Sequence, residues 1–231
     1  MKTLLEWLAH GHARPGQALP LREFSAKFGM SRTPLRAAAG RLHEQGLLDY
    51  DSRHGFTVTV PTKADLMEFF DLREMTELHA ATRVIGARIP IPPELDRVVE
   101  EAAEIAPKIV DDPPLHSRFW RLDVRFHRLL LSLAGNARLL DLWDQLLANV
   151  RVYQFGKTTP LSKSRFTKTV AEHKAILAAY RAYEEAEARH LLSEHIRRIR
   201  DVTIATALEH LETADEPDWL SHLAPPEDSS R

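Results

Sequence analysis

The chain has 231 residues, of which 44% are hydrophobic, and its formal net charge is −2. This length is more than one small domain needs, and no apolar run approaches the roughly 20 residues that span a bilayer. The absence of cysteine excludes disulfides and thiolate metal sites. Together with an N-terminus that does not resemble a secretory signal, it leads us to expect a cytoplasmic protein without a membrane segment.

The charge is distributed unevenly along the chain. Residues 1–60 carry eight Lys or Arg and five acids, so this part is basic and the remainder is acidic. The stretch from Arg14 to Arg41 holds six basic residues and one acid. Such a local basic patch suggests a polyanionic partner for that segment, although a solvated charged face would have the same composition.

Three helices are predicted before residue 47. Leu4, Leu5 and Leu8 predict a short first helix, and the pattern from Leu21 to Phe28 predicts a second that ends at a glycine, Gly29. Ser31 is a suitable N-cap for a third helix, which ends near Gly46 and would bury Leu35, Ala38 or Ala39, and Leu42.

Two short strands are predicted next, over residues 47–50 and 56–60, with a turn at 52–55 between them. Helix, turn, helix and β-hairpin together form the layout of a winged helix-turn-helix, whose second helix enters the DNA major groove. In this chain that second helix would present Arg32, Thr33 and Arg36, and the preceding helix would present Arg22. Guanidinium groups hold phosphates or read guanine edges.

The pattern changes from Pro61 onward, where no strand signal remains. Thr62 with Asp65 predicts the start of a long amphipathic helix through residue 85. Further helical patterns cover residues 94–110, 115–134, 136–155, 167–181 and 184–212. We therefore predict a mainly α protein with three parts: a winged helix-turn-helix over 1–61, an antiparallel all-α bundle of about six helices over 62–213, and a disordered tail over 214–231.

Four polar residues in the bundle predict a metal site. Asp123 and His127 lie four residues apart and project from one face of an apolar helix, where an unpaired polar group would be costly. His173 and His195 lie in apolar contexts on two other helices. Together they would offer nitrogen and oxygen ligands to Zn²⁺, our first choice, or Ni²⁺, with positions left for water or an acid. Alternatively, each histidine is an ordinary core residue and Asp123 pairs with a neighbouring arginine.

Arg73 is the candidate effector-binding residue, because it falls among the apolar positions of the first long helix and could clamp a carboxylate. A salt bridge to Glu77, four residues later, is the alternative. Arg121, Tyr153 and Gln154 are weaker candidates for the wall of the same pocket.

Residues 28–48, with the sequence FGMSRTPLRAAAGRLHEQGLL, resemble the core motif of the GntR family of bacterial regulators. The resemblance implies that Arg22, Arg32, Thr33 and Arg36 contact DNA and that His54 and Gly55 form the wing tip. The family usually has Glu after the second arginine of this motif, where this chain has Ala37, so its operator preference cannot be copied from relatives.

Residues 66–211 resemble the helical effector domain (FCD type) of the FadR subfamily. The resemblance rests on short strings such as Asp123-Val124-Arg125-Phe126-His127 and Glu172-His173-Lys174, and on His195. It implies a divalent metal on one Asp and three His, with a carboxylate effector on that metal, and a homodimer.

These observations predict a ligand-responsive transcriptional regulator, a repressor in our interpretation, that binds a palindromic DNA operator as a homodimer. Its effector would be a small carboxylate metabolite. One alternative is a metal-dependent enzyme that uses the Asp and His site, although no general base is apparent, since Glu172 is expected to point away from the face of His173. The other is a metal-free regulator with a larger, more apolar effector.

Overall fold

The structure is a computed structural model that describes Leu4, Leu8, residues 15–110, Asp112, residues 114–154 and residues 163–212. The contacts divide the chain into two compact units, one mainly up to Asp65 and one from Leu66 to Ile204. The predicted tail over 214–231 lies outside the described residues, as does most of the predicted first helix. The side chains of Tyr153 and Gln154 lie outside them too.

The first unit contains two helices and a hairpin, α1 (Leu21–Phe28), α2 (Arg32–Glu44), β1 (Leu48–Asp51) and β2 (Gly55–Val58). Helix α1 ends where Gly29 adopts a left-handed φ of 61°, a conformation that glycine reaches without a Cβ clash. Helix α2 buries Leu35, Ala38, Ala39 and Leu42, as the sequence pattern predicts.

The hairpin is a two-stranded antiparallel sheet in which Leu48 pairs with Val58 and Asp51 with Gly55. Leu48, Phe56 and Val58 are buried, whereas the other residues of β1 are exposed and Gly55 and Thr57 of β2 are partly exposed. An isolated bridge from Ala18 to Thr57 adds a third segment beside β2. The unit therefore has the order and the pairing predicted for a winged helix-turn-helix.

The second unit consists of helices and their connections, with no strand among its described residues. Its six helices are α3 (Lys63–Gly86), α4 (Glu94–Ile105), α5 (Pro114–Leu133), α6 (Ala137–Gln154), α7 (Lys163–Ala182) and α8 (Glu185–Glu212), with a 3₁₀ turn (Ala106–Lys108) after α4. Thr62 and Asp65 form the predicted capping box, since the Asp65 carboxylate accepts from the Thr62 N–H at 2.7 Å and Thr62 Oγ1 accepts from the Asp65 N–H at 3.1 Å. The predicted mainly helical fold class is confirmed.

Polar contacts tie α3 to α8 across the bundle. Thr82 donates to Glu185 at 2.8 Å, and Arg189 donates to the Leu78 carbonyl at 3.0 Å. Buried aromatic residues such as Phe126 and Trp143 fill the interior of the bundle. Among the described helices, none combines the length and the apolar character needed to cross a membrane.

Candidate metal centre and candidate nucleic-acid interface

The residues predicted to contact DNA lie on the surface of the first unit. Arg22 on α1, and Arg32, Thr33 and Arg36 on α2, are exposed, and His54 is exposed in the turn of the hairpin. Arg32 and Thr33 occupy the first turn of α2, which follows an extended Ser31. This part of the unit therefore presents guanidinium groups to solvent with no acid in the first turn of α2.

The hairpin contacts α2 through an exposed pair of side chains. Arg36 donates from Nη2 to the Tyr50 hydroxyl at 3.1 Å, and its guanidinium carbon lies 6.0 Å from the centre of the Tyr50 ring. At the turn, His54 hydrogen-bonds to Asp51. Gly55 begins β2 with φ 81°, which favours glycine at that position. Sequence analysis did not single out Tyr50, although an aromatic residue in the first wing strand was a usable signal.

The four residues of the predicted metal site come together inside the second unit. Asp123 and His127 are on α5, His173 is on α7 and His195 is on α8, and one donor atom from each lies within 4.8 Å of the others. The three imidazoles are buried, with at most 2% of each residue exposed. Their burial agrees with the apolar context that the sequence indicates around each of them.

The hydrogen bonds of two imidazoles fix which ring nitrogen faces the centre of the cluster. His127 Nδ1 lies 2.7 Å from Glu77 Oε2, and His195 Nδ1 lies 2.7 Å from Glu172 Oε2. Because a carboxylate only accepts, each Nδ1 carries the proton. In the neutral ring each Nε2 is then a free lone pair, and the two Nε2 atoms face each other at 3.2 Å.

His173 and Asp123 complete the cluster. His173 Nε2 is 3.3 Å from Asp123 Oδ1, yet it is a buried nitrogen with no hydrogen-bond partner in the part of the chain that the structure describes. The His173 ring is stacked on Phe126 with a centroid distance of 4.1 Å, which fixes its plane. Two lone pairs in contact and an unsatisfied buried nitrogen are unfavourable unless a cation lies among them.

The pKa directions agree with this description. Burial lowers the pKa of His173, which Asp123 only partly opposes, and burial lowers the pKa of His195 to about 3. Burial alone would raise the pKa of Asp123, but the close approach of His173 and the positive charge of Arg73 hold it below its usual range. At neutral pH the centre therefore offers the ionised carboxylate of Asp123 and the neutral imidazoles of His173 and His195, the protonation states that metal binding requires.

These donors fit a divalent ion. Donor atoms that share one Zn²⁺ at about 2.0–2.2 Å lie about 3–4 Å from one another. The donor atoms are separated by 3.2 Å from His127 to His195, by 3.3 Å from His173 to Asp123 and by 4.0 Å from His127 to Asp123, and all four lie within 4.8 Å of one another. The donor set of one carboxylate oxygen and three imidazole nitrogens suits Zn²⁺ or Ni²⁺. The four residues form a possible metal site.

Arg73 lies beside this site and makes the salt bridge that the sequence offered as the alternative. It is buried, and its Nε donates to Glu77 Oε1 at 2.7 Å, while Trp143 Nε1 donates to the same oxygen at 3.0 Å. Burial alone would raise the pKa of Glu77, but His127 and Arg73 together lower it, so Glu77 is a carboxylate. Arg73 therefore holds in place the Glu77 carboxylate that orients the His127 ring.

Glu172 points away from the face of His173 and still lies beside the cluster. It accepts from His195 and from Arg198 Nε, the latter at 2.7 Å. Residues adjacent on a helix differ by about 100°, and the face of α7 that carries Glu172 meets α8 instead. Glu77, Glu172 and Trp143 are site residues that sequence reasoning missed. An acid four residues after Arg73 and an acid next to His173 were the available signals.

Comparison with known proteins identifies both units. Residues 1–58 match the family described as bacterial regulatory proteins, gntR family, and residues 68–198 match the FCD domain. The uncharacterized HTH-type transcriptional regulator YdhC of Bacillus subtilis (strain 168) is 26% identical over 207 residues, which are 85% of this chain and 88% of that protein. The HTH-type transcriptional repressor RspR of Escherichia coli (strain K12) is 27% identical over 205 residues, which are 84% and 85% of the two chains.

Among solved structures, E. coli McbR/YncC has a TM-score of 0.74 with 20% sequence identity and covers 89% of this chain and 95% of its own. At this identity the likeness shows the fold. GntR regulators bind DNA and are usually dimeric. The relatives are transcriptional regulators, and this contradicts the alternative of a metal-dependent enzyme. The chain therefore belongs to the GntR family of bacterial regulators, as a transcriptional regulator with a helix-turn-helix domain and an FCD domain.

Proposed function

We propose that this protein is a metabolite-responsive repressor that binds a palindromic operator as a homodimer. The DNA contacts are Arg22, Arg32, Thr33 and Arg36, with His54 and Gly55 at the tip of the wing. The effector is a small organic acid that binds at a divalent metal, Zn²⁺ before Ni²⁺, held by Asp123, His127, His173 and His195. We assign the winged helix-turn-helix to residues 1–61 and the effector domain to 62–213.

The observation that carries the proposal is the convergence of four donor atoms within 4.8 Å inside the FCD domain of a DNA-binding protein. An ion held by these four donors would supply a Lewis-acid position for a carboxylate oxygen of the effector. The protein contributes the buried environment and the orientation of the rings, because Glu77 and Glu172 keep the Nδ1 protons of His127 and His195 away from the ion.

Helix α3 is the element through which the two functions would be coupled. Its first turn follows Thr62, directly after the winged region in sequence, and its third and fourth turns carry Arg73 and Glu77. Glu77 of α3 contacts His127, so a shift of the His127 imidazole on ligand binding would be passed to the Glu77 side chain and through it to α3. A dimer reads two half-sites about one helical turn of DNA apart, and a small reorientation of α3 would abolish simultaneous contact.

The assignment as a repressor rests on relatives, since RspR is described as a transcriptional repressor. The sign of regulation is tested by expression of a reporter behind the operator in cells with and without the gene. Higher expression without the gene supports repression, and lower expression contradicts it.

The DNA contacts are tested by a mobility-shift titration on an operator selected from random-sequence DNA with the wild-type protein. We expect Arg32→Ala and Arg36→Ala each to weaken binding strongly, by about 1–3 kcal/mol if the guanidinium reads a base. Arg83→Ala is the matched control, because Arg83 is an exposed arginine on α3. Full affinity in the double variant Arg32→Ala, Arg36→Ala would contradict the assignment.

The metal site is tested by metal analysis of the purified protein. Stoichiometric metal that is lost in His127→Ala and kept in His190→Ala, an exposed histidine of α8, supports the proposal. A wild-type protein that takes up neither Zn²⁺ nor Ni²⁺ would instead favour a metal-free regulator with a larger, more apolar effector. A thermal-shift screen of organic acids with and without each ion then identifies effectors, since a ligand that binds the folded state raises the melting temperature.

A further inference from the structure

The large apolar side chains that stay exposed in the helical unit concentrate on one helix, α3. Among the described residues of this unit, α3 carries Met67, Leu72 and Met75 in this class, whereas α6 carries one, Leu142, and Val110 follows the 3₁₀ turn. Met75 is 67% exposed, more than any of the others. Adjacent exposed apolar side chains are typical of a contact with a partner, so α3 is the candidate docking surface.

The exposed positions of α3 form one continuous stripe centred on Met75. At about 100° per residue, the exposed residues within about 60° of Met75 are Ala64, Glu68, Asp71, Leu72, His79 and Gly86. Met67 and Arg83 are exposed too, but each lies about 80° from Met75, on opposite sides of the stripe. The stripe therefore runs along the whole helix, with apolar residues at its middle and small residues, Ala64 and Gly86, at its ends.

The stripe is complementary to itself when a second copy lies antiparallel. Asp71 precedes Met75 by four residues and His79 follows it by four, so a two-fold axis at Met75 brings acidic Asp71 of one copy to basic His79 of the other. Neither side chain makes a hydrogen bond or an ion pair among the described residues, and a carboxylate accepts from an imidazole N–H. The same axis pairs Ala64 with Gly86, each eleven residues from Met75. In a parallel pair, Asp71 would meet Asp71 instead.

The opposite side of the same turns carries groups that support the metal cluster. Arg73 and Glu77 lie two residues before and after Met75, and so about 160° around the helix from it. Both are buried, and Glu77 contacts His127. Helix α3 therefore has the cluster on one side and the stripe on the other, and a rotation of α3 that begins at Glu77 would turn Met75 through the same angle.

We propose that the stripe of α3 is the homodimer interface of this protein, with the two-fold axis at Met75 and two copies of α3 packed antiparallel. This inference rests on the proposed function, because it identifies the surface through which the proposed homodimer forms. The interface is isologous, since both copies use the same stripe. A palindromic operator mirrors the two-fold axis of the protein, so loss of this interface should weaken binding to the palindrome more than binding to one half-site.

Cysteine crosslinking of the full chain tests the position of the axis, because the chain has no cysteine of its own. A disulfide needs Cα atoms about 4.4–6.8 Å apart, and only a residue near a two-fold axis meets its own copy at that distance. Under mild oxidation we expect Met75→Cys to give a covalent dimer as its main product. Met67→Cys, at the exposed methionine about 80° away on the same helix, is the matched control and should stay monomeric on a denaturing gel.

The direction of packing is tested with Asp71→Cys and His79→Cys. In the antiparallel pair, the two copies of residue 71 lie about 12 Å apart along the helix, since each is four residues of about 1.5 Å from Met75. Neither variant should therefore crosslink to itself, whereas the two expressed together should form the mixed disulfide, which mass spectrometry identifies. Self-crosslinking of each variant without the mixed product would indicate parallel copies and overturn the proposal.

Sedimentation velocity tests whether the stripe holds the dimer together. Met75→Glu should raise the dimer dissociation constant by about 100-fold or more, because two like charges would meet at the axis. Leu142→Glu, at the exposed leucine of α6, is the matched control and should leave the dissociation constant unchanged. A circular dichroism spectrum equal to that of wild type shows that the Met75→Glu variant is folded, and the cysteine variants test the same axis without adding a charge.

Two results overturn this interface while leaving the proposed function intact: a dimer that persists in folded Met75→Glu, or a wild-type dimer whose Met75→Cys variant forms no disulfide. A crosslink through Met67→Cys in place of Met75→Cys overturns it too, because the axis would then lie elsewhere on α3. A wild-type chain that sediments as a monomer even when bound to the palindrome overturns the proposed homodimer and this inference with it.

Discussion

Replacing Glu172 with glutamine tests how strongly the carboxylate behind His195 supports metal binding. Glu172 Oε2 accepts from His195 Nδ1 at 2.7 Å, and its side chain is 22% exposed. Glutamine keeps the size of the side chain and an oxygen that can accept the same hydrogen bond. It removes the negative charge that makes the imidazole more basic and that fixes its tautomer.

The expected effect on metal affinity follows from this contact. Changes to the hydrogen-bond partner of a metal-binding histidine reduce affinity by about 10–100-fold, or about 1.4–2.8 kcal/mol. The effect on the unfolding free energy of the metal-free protein should be smaller, about 1 kcal/mol or less, since the ion pair of Glu172 with Arg198 is partly exposed. Metal affinity should therefore change more than stability does.

The assay is a competition titration in which a chromophoric chelator and the protein share Zn²⁺ at equilibrium, with unfolding in urea measured in parallel. Glu74→Gln is the matched control. The Glu74 side chain is 14% exposed and, like Glu172, pairs with an arginine of α8, Arg197, at an N···O distance of 3.1 Å. Among the described residues, Glu74 makes no contact with a histidine of the cluster. We expect Glu74→Gln to retain wild-type zinc affinity.

Zinc affinity of Glu172→Gln within about twofold of wild type, far below the expected range, would refute the reasoning. A loss of the same size in Glu74→Gln would refute it as well, because the effect would then come from general weakening of the contacts between α8 and its neighbours.

Three further expectations concern the wing and the cluster. Gly55→Ala should lower the unfolding free energy by about 1 kcal/mol, because alanine is strained at the φ of 81°. An added Cβ meets nothing within 4 Å, so the backbone strain is the whole effect. An unchanged urea midpoint would contradict this. Tyr50→Phe should change the unfolding free energy by less than about 0.5 kcal/mol. It should nevertheless weaken operator binding, because Arg36 loses its hydrogen bond to the Tyr50 hydroxyl. Unchanged operator affinity in a mobility-shift titration would contradict a role for this hydrogen bond. With the metal removed by a chelator, acidification below about pH 6.5 should destabilise the protein. Burial lowers the pKa of His173 and His195 in the folded state, so the unfolded chain binds more protons than the folded protein does at that pH. Equal or greater stability at about pH 5.5 than at about pH 7.5 in urea titrations would contradict this sign.

Local signals in the sequence accounted for most element boundaries. Gly29 ends α1, and Thr62 with Asp65 caps α3, because these effects depend on residues within one helical turn. The pattern in the second half likewise predicted six helices, although α7 begins at Lys163, earlier than the expected residue 167. Helix ends set by distant packing are less accessible to such signals.

In the candidate metal site too, local sequence patterns predicted some features and the packing of distant residues decided others. Spacing along α5 indicated that Asp123 and His127 share a face, and the apolar context of His173 and His195 indicated that they point inward. The sequence left two options for Arg73, and the structure has the salt bridge to Glu77. It indicated that Glu172 points off the face of His173, but it did not show that Glu172 meets His195 on α8.

The sequence by itself determined the fold class, the family motif and the types of side chain available to a metal and to DNA. Periodicity and capping act within a few residues, so one chain suffices to read them. Only the tertiary structure decided which carboxylate orients which imidazole, and that Arg73 pairs with Glu77 and Arg198 with Glu172. The two carboxylate–imidazole contacts join residues 23 and 50 positions apart, and they depend on how helices rotate and pack against one another.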